Sequence, residues 1–335
     1  MYLHVRRESM GSGHRFPILA CTVACGLALA APAGASQWIA GNASHIRLAV
    51  NRHGVALVTY STHGTVRHVL AWGAINARLR PPTEDGPEQV RFRFDYSGGW
   101  ATQDRPAWRR FRNACRRYDG PALAWFVTGC KAADGSYWAL QSWQTLLPDL
   151  GFAPWFARQT TWWLHLSHWN GPLAKLDVYR DWAYSIRAQE LFGQYTYKGV
   201  GIRGFGTTRH GVPTDGYGRL VYIDTHNSVY GQGWRRETSI VASGPPGLFC
   251  HGFVPVDPYA GWKHPPGTPH RDRGPGNGDM YRVTVNGPGV TPDLMWQGPP
   301  LGRFDPNDPA DASLERQMNA KLDSIRAGWH KCLEH

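Results

Sequence analysis

Between Thr161 and Trp182 the chain reads TWWLHLSHWNGPLAKLDVYRDW, a run in which tryptophan and histidine recur among Lys175, Asp177, Tyr179 and Asp181. These residue types suit sugar recognition. Flat aromatic rings stack on the C–H faces of a pyranose, while carboxylate and imidazole groups hydrogen-bond its hydroxyls. Read as strands, the run sorts by alternation. Trp163, His165, Ser167 and Trp169 fall on one face, with Trp162, Leu164, Leu166 and His168 on the other. After Asn170-Gly171-Pro172, residues Lys175, Asp177, Tyr179 and Asp181 share a face, opposite Ala174, Leu176, Val178 and Trp182. A three-residue turn sets Leu164 against Val178 and Leu166 against Leu176, so the apolar pattern predicts a hairpin in that register. Trp163 then stands opposite Tyr179 and His165 opposite Asp177. The expected ligand-binding face is Trp163, His165, Trp169, Asp177, Tyr179 and Asp181, with Trp162 buried behind it.

A second polar strand face occurs in RLVYIDTHN, where Tyr222, Asp224 and His226 alternate with Val221 and Ile223. Converging with His165 and Asp177, it would form an ionisable cluster able to move protons. Glycoside cleavage needs an acid and a base or nucleophile across the bond, and Asp177, Asp181, Glu190, Asp224 and Glu237 are the carboxylates on or near strands. No spacing singles out a pair. The sequence contains no G-x-S-x-G elbow, phosphate-binding loop or H-E-x-x-H. Whether the chain is catalytic is therefore left open, and no catalytic residue is assigned.

No metal or cofactor is expected. His165 and His168 point to opposite faces of a strand and cannot chelate one ion. Asp305, Asn307, Asp308 and Asp311 lack the glycine spacing of a calcium loop, and helix capping accounts for two of them.

The elements that must position these side chains follow mostly a period of two, with turn residues at short intervals, which predicts an antiparallel β-sandwich-like core. Strand-like runs fill Ile46 to Trp72, and KAADG separates ALAWFVTGC from SYWALQSWQT as a hairpin turn, with Gly135 supplying a positive φ. A single β-rich domain is expected over 36–335, with a possible N-terminal β subdomain at 36–100. The Pro- and Gly-rich stretch 244–278 reads as a long irregular loop.

Two stretches switch to a helical period. In DRPAWRRFRNACRRYDG the residues Trp108, Phe111, Cys115 and Tyr118 form one stripe and the arginines fall elsewhere, which predicts a short basic helix. A C-terminal amphipathic helix over 309–332, capped by Asp308, carries Leu314, Met318, Leu322, Ile325 and Trp329 on the face that docks on the β core.

Arg6, Arg7 and Arg15 precede the apolar FPILACTVACGLALA, which ends in Ala33-Gly34-Ala35. Residues 1–35 are expected to be a secretory signal peptide, and no transmembrane span is expected after its removal. Cys115, Cys130, Cys250 and Cys332 remain, an even number suited to disulfides in an exported chain. Cys115 and Cys130 flank a short segment that returns as a strand, so the expected pairs are Cys115–Cys130 and Cys250–Cys332. The formal charge of +11 falls to +9 without residues 1–35, which hold three arginines and one glutamate, and a cationic exported chain suits an anionic envelope polymer rather than nucleic acid. The function expected is a secreted or envelope-associated, non-catalytic module that binds a glycan or anionic polymer, with a carbohydrate-active hydrolase or a structural, adhesive protein as alternatives.

Overall fold

The computed structural model describes residues 37–78, 90–145, 147, 157–182, 188–202, 205–207, 213–215, 221–228, 231–237, 240–244, 247–253, 278–299, 304–326 and 328. Among them the protein is mainly β, and every strand pair is antiparallel. The expected signal peptide, Cys332 and most of the Pro/Gly-rich stretch lie outside the described residues. No described helix is long and apolar enough to cross a membrane.

Four sheets set the architecture. The first comprises Ser44–Val50, Ala56–Thr62, Thr65–Trp72 and Arg93–Asp95 in that order. Its middle turn is the His63-Gly64 pair, both at positive φ (48° and 73°), the two-residue geometry that matches strand twist. The second sheet runs Gln37–Gly41, Trp163–Trp169, Tyr137–Trp143, Phe126–Lys131 and Arg116–Arg117. Its hairpin about Gly135, at φ 88°, is the one expected from KAADG. The third sheet runs Gly231–Glu237, Tyr222–Ser228, Met280–Val285 and Leu294–Gly298. The fourth runs Lys175–Trp182, Ala188–Tyr197, Leu248–Phe253 and Ile240–Gly244. Leu248–Phe253 falls within the stretch expected to be an irregular loop, and it forms a strand buried on both faces, with Leu248 and Cys250 on one side and Phe249 on the other.

Alternation stacks these sheets. Val50, Val58, Val69 and Ala71 of the first sheet share a core with Trp138, Leu140, Leu164 and Leu166 of the second. The opposite face of the second sheet carries Gln141, Trp143, His165 and Ser167, all buried. There Trp143 meets Tyr222 of the third sheet edge to face, with ring centroids 5.1 Å apart. The other face of the third sheet, with Ile223, Tyr281, Val283 and Val285, packs on Val178, Leu191, Tyr195 and Phe249 of the fourth. On the outer side of the fourth, Phe192, Leu248 and Cys250 receive Leu322, Ile325 and Met318 of the C-terminal helix. The second, third and fourth sheets are therefore covered on both faces, which explains how so many large aromatics find core positions.

The C-terminal helix spans Pro309–Arg326. Asp308 caps it, its Oδ1 accepting from the Ala310 N–H at 2.8 Å, while Asp311 Oδ2 accepts from the Asp305 N–H at 2.9 Å. The basic helix expected over 104–120 does not form. That segment holds one 3₁₀ turn, Ala107–Arg110, and then runs extended. Asn113 explains the difference: its Oδ1 accepts from the Val50 and Cys115 N–H groups, and the Ala114 N–H donates to Val50 O at 2.7 Å. The backbone thus bonds along a sheet edge instead of within a helix. The side-chain partition survives without the helix: Trp108 stacks on His68 at 4.1 Å, and Arg109, Arg110, Arg112, Arg116 and Arg117 are exposed. Cys115 and Cys130 are joined by a disulfide. Cys250 is also disulfide-bonded.

Candidate functional site

The expected hairpin is not present. Trp163–Trp169 pairs with Gln37–Gly41 on one side and Tyr137–Trp143 on the other, whereas Lys175–Trp182 pairs with Ala188–Tyr197 in a different sheet. Asn170-Gly171-Pro172 is a crossover. Asn76 anchors it, donating its side-chain amide to Asn170 O at 3.0 Å and accepting the Asn170 N–H at 2.9 Å. Facial alternation holds on each strand, but the two faces do not meet.

The expected face is consequently divided. His165 is fully buried, with Nδ1 3.0 Å from Asp293 Oδ2 and its ring stacked on Trp143 at 5.0 Å. Trp163 is half-buried and stacks on Trp38 at 4.9 Å, and Trp169 is buried against Tyr137 at 5.4 Å. Asp177 is exposed, and Tyr179 packs on Phe192 beneath the C-terminal helix, with Lys321 Nζ 5.2 Å from its ring. The backbones of Asp181 and Glu190 face each other across Lys175–Trp182 and Ala188–Tyr197. His168 turns the other way, between Ala74 O (2.8 Å) and Ser136 Oγ (2.9 Å), and burial lowers its pKa to about 4.

Tyr222, Asp224 and His226 do share one face, on the second strand of the third sheet. Asp224 is buried and holds two arginines: Arg236 Nε at 2.6 Å on Oδ1, and Arg282 Nε and Nη2 at 3.1 and 2.8 Å on Oδ2. Tyr222 lies under the Arg236 guanidinium at 4.3 Å, and burial raises its phenol pKa. His226 pairs at the surface with Asp279, Nδ1 to Oδ1 2.7 Å, and this contact holds the Asp279 carboxyl below its ordinary value. Its ring also meets Trp234 at 4.9 Å. Of the expected convergence, only the approach of Tyr222 to the Trp143–His165 stack is realised. Asp177 belongs to another layer.

A cleft of about 290 Å³ opens beside this interlayer. Its aromatic walls are Trp125, Trp143, Trp162 and Trp234, and its polar lining includes Gln144, Gln159, Gln232, Arg235 and Arg282. Trp125 stacks on Trp143 with centroids 5.2 Å apart and planes 17° apart. Arg282 lies over Trp234 at 4.1 Å and Trp125 at 5.3 Å. Trp162, expected to be core, is 48% exposed. Asn42 holds its backbone in place, donating its N–H to Trp162 O at 2.7 Å and accepting the Trp162 N–H on Oδ1 at 2.9 Å.

Trp125 has φ 48°, in the left-handed region that bulky side chains rarely enter. Two bonds fix that turn: the Ser142 N–H donates to Trp125 O at 3.0 Å, and the Gln141 side chain donates to Ala124 O at 2.8 Å. Such conformations cost about 1–3 kcal/mol and gather at functional sites. Sequence reasoning singled out neither Trp125 nor Trp234, which lie in separate segments outside the tryptophan-rich run. Asp293, which bonds Trp143 Nε1, Asn286 and Gly287 inside this interlayer, follows a Pro- and Gly-containing turn with no periodic pattern.

No protein-family model matches the chain, and neither curated proteins nor solved structures are significantly similar to it.

Proposed function

We propose that the chain is an exported, non-catalytic module that binds a glycan of the cell envelope in the cleft walled by Trp125, Trp143, Trp162 and Trp234. The observation that carries this reading is the exposure and fixation of its aromatic surface. Trp162 presents 48% of its area to solvent, and Trp125 is held at φ 48° against Trp143. Rings fixed in this way lose little entropy on binding, and a sugar ring stacks on them through its C–H face. Gln144 and Gln232 supply amide donors and acceptors for hydroxyls around the same cleft. The hydrolase alternative has less support. Among the described residues no carboxylate lines the cleft, and Asp224 and Asp293 are both buried in bonds to other side chains.

The test is retention of the full chain on insoluble polysaccharides and cell-wall preparations. Trp162→Ala is expected to reduce retention by about ten-fold or more while leaving the melting curve in place, because one stacking contact is worth roughly 1–3 kcal/mol. Wild-type chain that is retained on some polysaccharide with no dependence on Trp162, Trp125 or Trp234 would sink the assignment of the cleft.

A further inference from the structure

We infer that the cleft takes an acidic saccharide, one whose sugar ring carries a carboxylate, and that Arg282 is the group that accepts it. This rests on the glycan reading above and adds the class of sugar. The charged residues lining the cleft among those described are Arg235 and Arg282, both cationic. Arg282 is set rigidly. Its Nε and Nη2 are committed to Asp224 Oδ2, its plane lies on Trp234 at 4.1 Å, and Trp125 stands 5.3 Å away. Its remaining nitrogen, Nη1, meets no acceptor among the described residues.

The balance of charge points the same way. Asp224 is a single carboxylate serving two guanidinium groups, so the buried Asp224, Arg236 and Arg282 together keep one positive charge. Arg236 Nη2 is also buried without an acceptor among the described residues. Asp293, the other carboxylate of the interlayer, bonds Trp143, Asn286 and Gly287 and lies 3.0 Å from His165, whereas the two guanidinium groups bond Asp224 and, from Arg236, Thr145 O. One sugar carboxylate at the Arg282 edge accepts from Nη1 in a charge-assisted hydrogen bond. The guanidinium carries its aromatic supports with it, so it is poised before the ligand arrives.

The test places the full chain on an array of matched saccharides: uronic-acid oligomers, the same oligomers methyl-esterified, sulfated oligomers, and neutral oligomers of equal length. At least one uronic-acid oligomer is expected to be held about ten-fold or more tightly than its methyl ester, with the difference shrinking as salt is raised. Arg282→Gln is expected to bring acid and ester to within about two-fold of each other. Acid and ester held equally by the wild type overturns the acidic assignment and leaves glycan binding standing. Preference for sulfated oligomers over uronic acids overturns the carboxylate. Failure of every saccharide to show Trp162-dependent retention overturns the cleft reading and this inference together. The comparison of acid with ester on the wild-type chain decides the matter even where Arg282→Gln does not fold.

Discussion

The indole N–H of Trp143 donates to Asp293 Oδ2 at 2.9 Å across 150 residues of sequence, and neither residue is meaningfully exposed. This bond ties the second sheet to the turn that leads into the last strand of the third. It also fixes one wall of the cleft, because Trp143 carries Trp125 stacked upon it. The same carboxylate lies 3.0 Å from His165 and accepts the Gly287 N–H at 3.2 Å, so one side chain organises several polar groups between two sheets.

Asp293→Ala should therefore be among the more damaging substitutions in the protein. It leaves buried donors without an acceptor, each costing about 1–3 kcal/mol, for a total of about 3–5 kcal/mol. Asp293→Asn keeps one acceptor oxygen and is expected to cost less. Urea denaturation measures both, and a loss under about 1 kcal/mol for the alanine variant would show that the interlayer is not organised by this residue.

Trp162 and Trp138 form an informative pair. Trp138 is fully buried and stacks on His168 at 3.8 Å and on Phe92 at 5.4 Å. Trp138→Ala is expected to cost about 3–5 kcal/mol, as removal of a core aromatic does. Trp162→Ala should cost less than about 1 kcal/mol, because nearly half the residue already faces solvent. Equal destabilisation by the two would place Trp162 in the core and remove it from the cleft surface.

Acid should weaken the fold before the carboxylates titrate. Burial holds His168 neutral with its pKa at about 4 and His251 at about 3, below the ordinary histidine value of 6.5. Because the folded pKa is depressed, this contribution is fully present above about pH 6.5 and is lost as the pH falls through the window down to about 4. The slope is at most about 1.4 kcal/mol per pH unit for each histidine. Unfolding free energies measured from pH 7 to 4.5 should decline, and His168→Gln should flatten the decline. Stability that stays level over that range would contradict the burial of both rings.

The exposed arginines and the disulfide beside them should behave oppositely. Arg109, Arg112 and Arg116 changed together to Gln are expected to alter stability by less than about 1 kcal/mol, since exposed charges contribute little. Replacing Cys115 and Cys130 by Ser opens a loop with a sequence separation of 15. On the chain-entropy account that loss is about 3 kcal/mol. Thermal melts of the two variants side by side provide the check, and a large loss from the arginine variant would mean that these side chains are paired internally.

Local pattern determined much of this protein. Alternation assigned the faces of Trp163–Trp169 and Tyr222–Ser228, the positive φ of Gly135 marked a hairpin, and Asp308 marked the start of the C-terminal helix. The Cys115–Cys130 pair followed from a short closure. Each of these is decided within a few residues, by backbone geometry or by one capping bond. Tertiary structure alone decided the rest. The apolar register of a hairpin between Leu164 and Val178 is self-consistent, yet both residues find better cover in separate cores, and Asn76 holds the intervening turn open as a crossover. The arginine-rich segment has a helical period, yet its backbone bonds to Val50 instead. The cleft brings Trp125, Trp162, Trp234 and Arg282 together from four separate segments. No spacing in the sequence encodes that meeting, because which sheet packs on which is settled by the summed burial of whole faces and not by any local run.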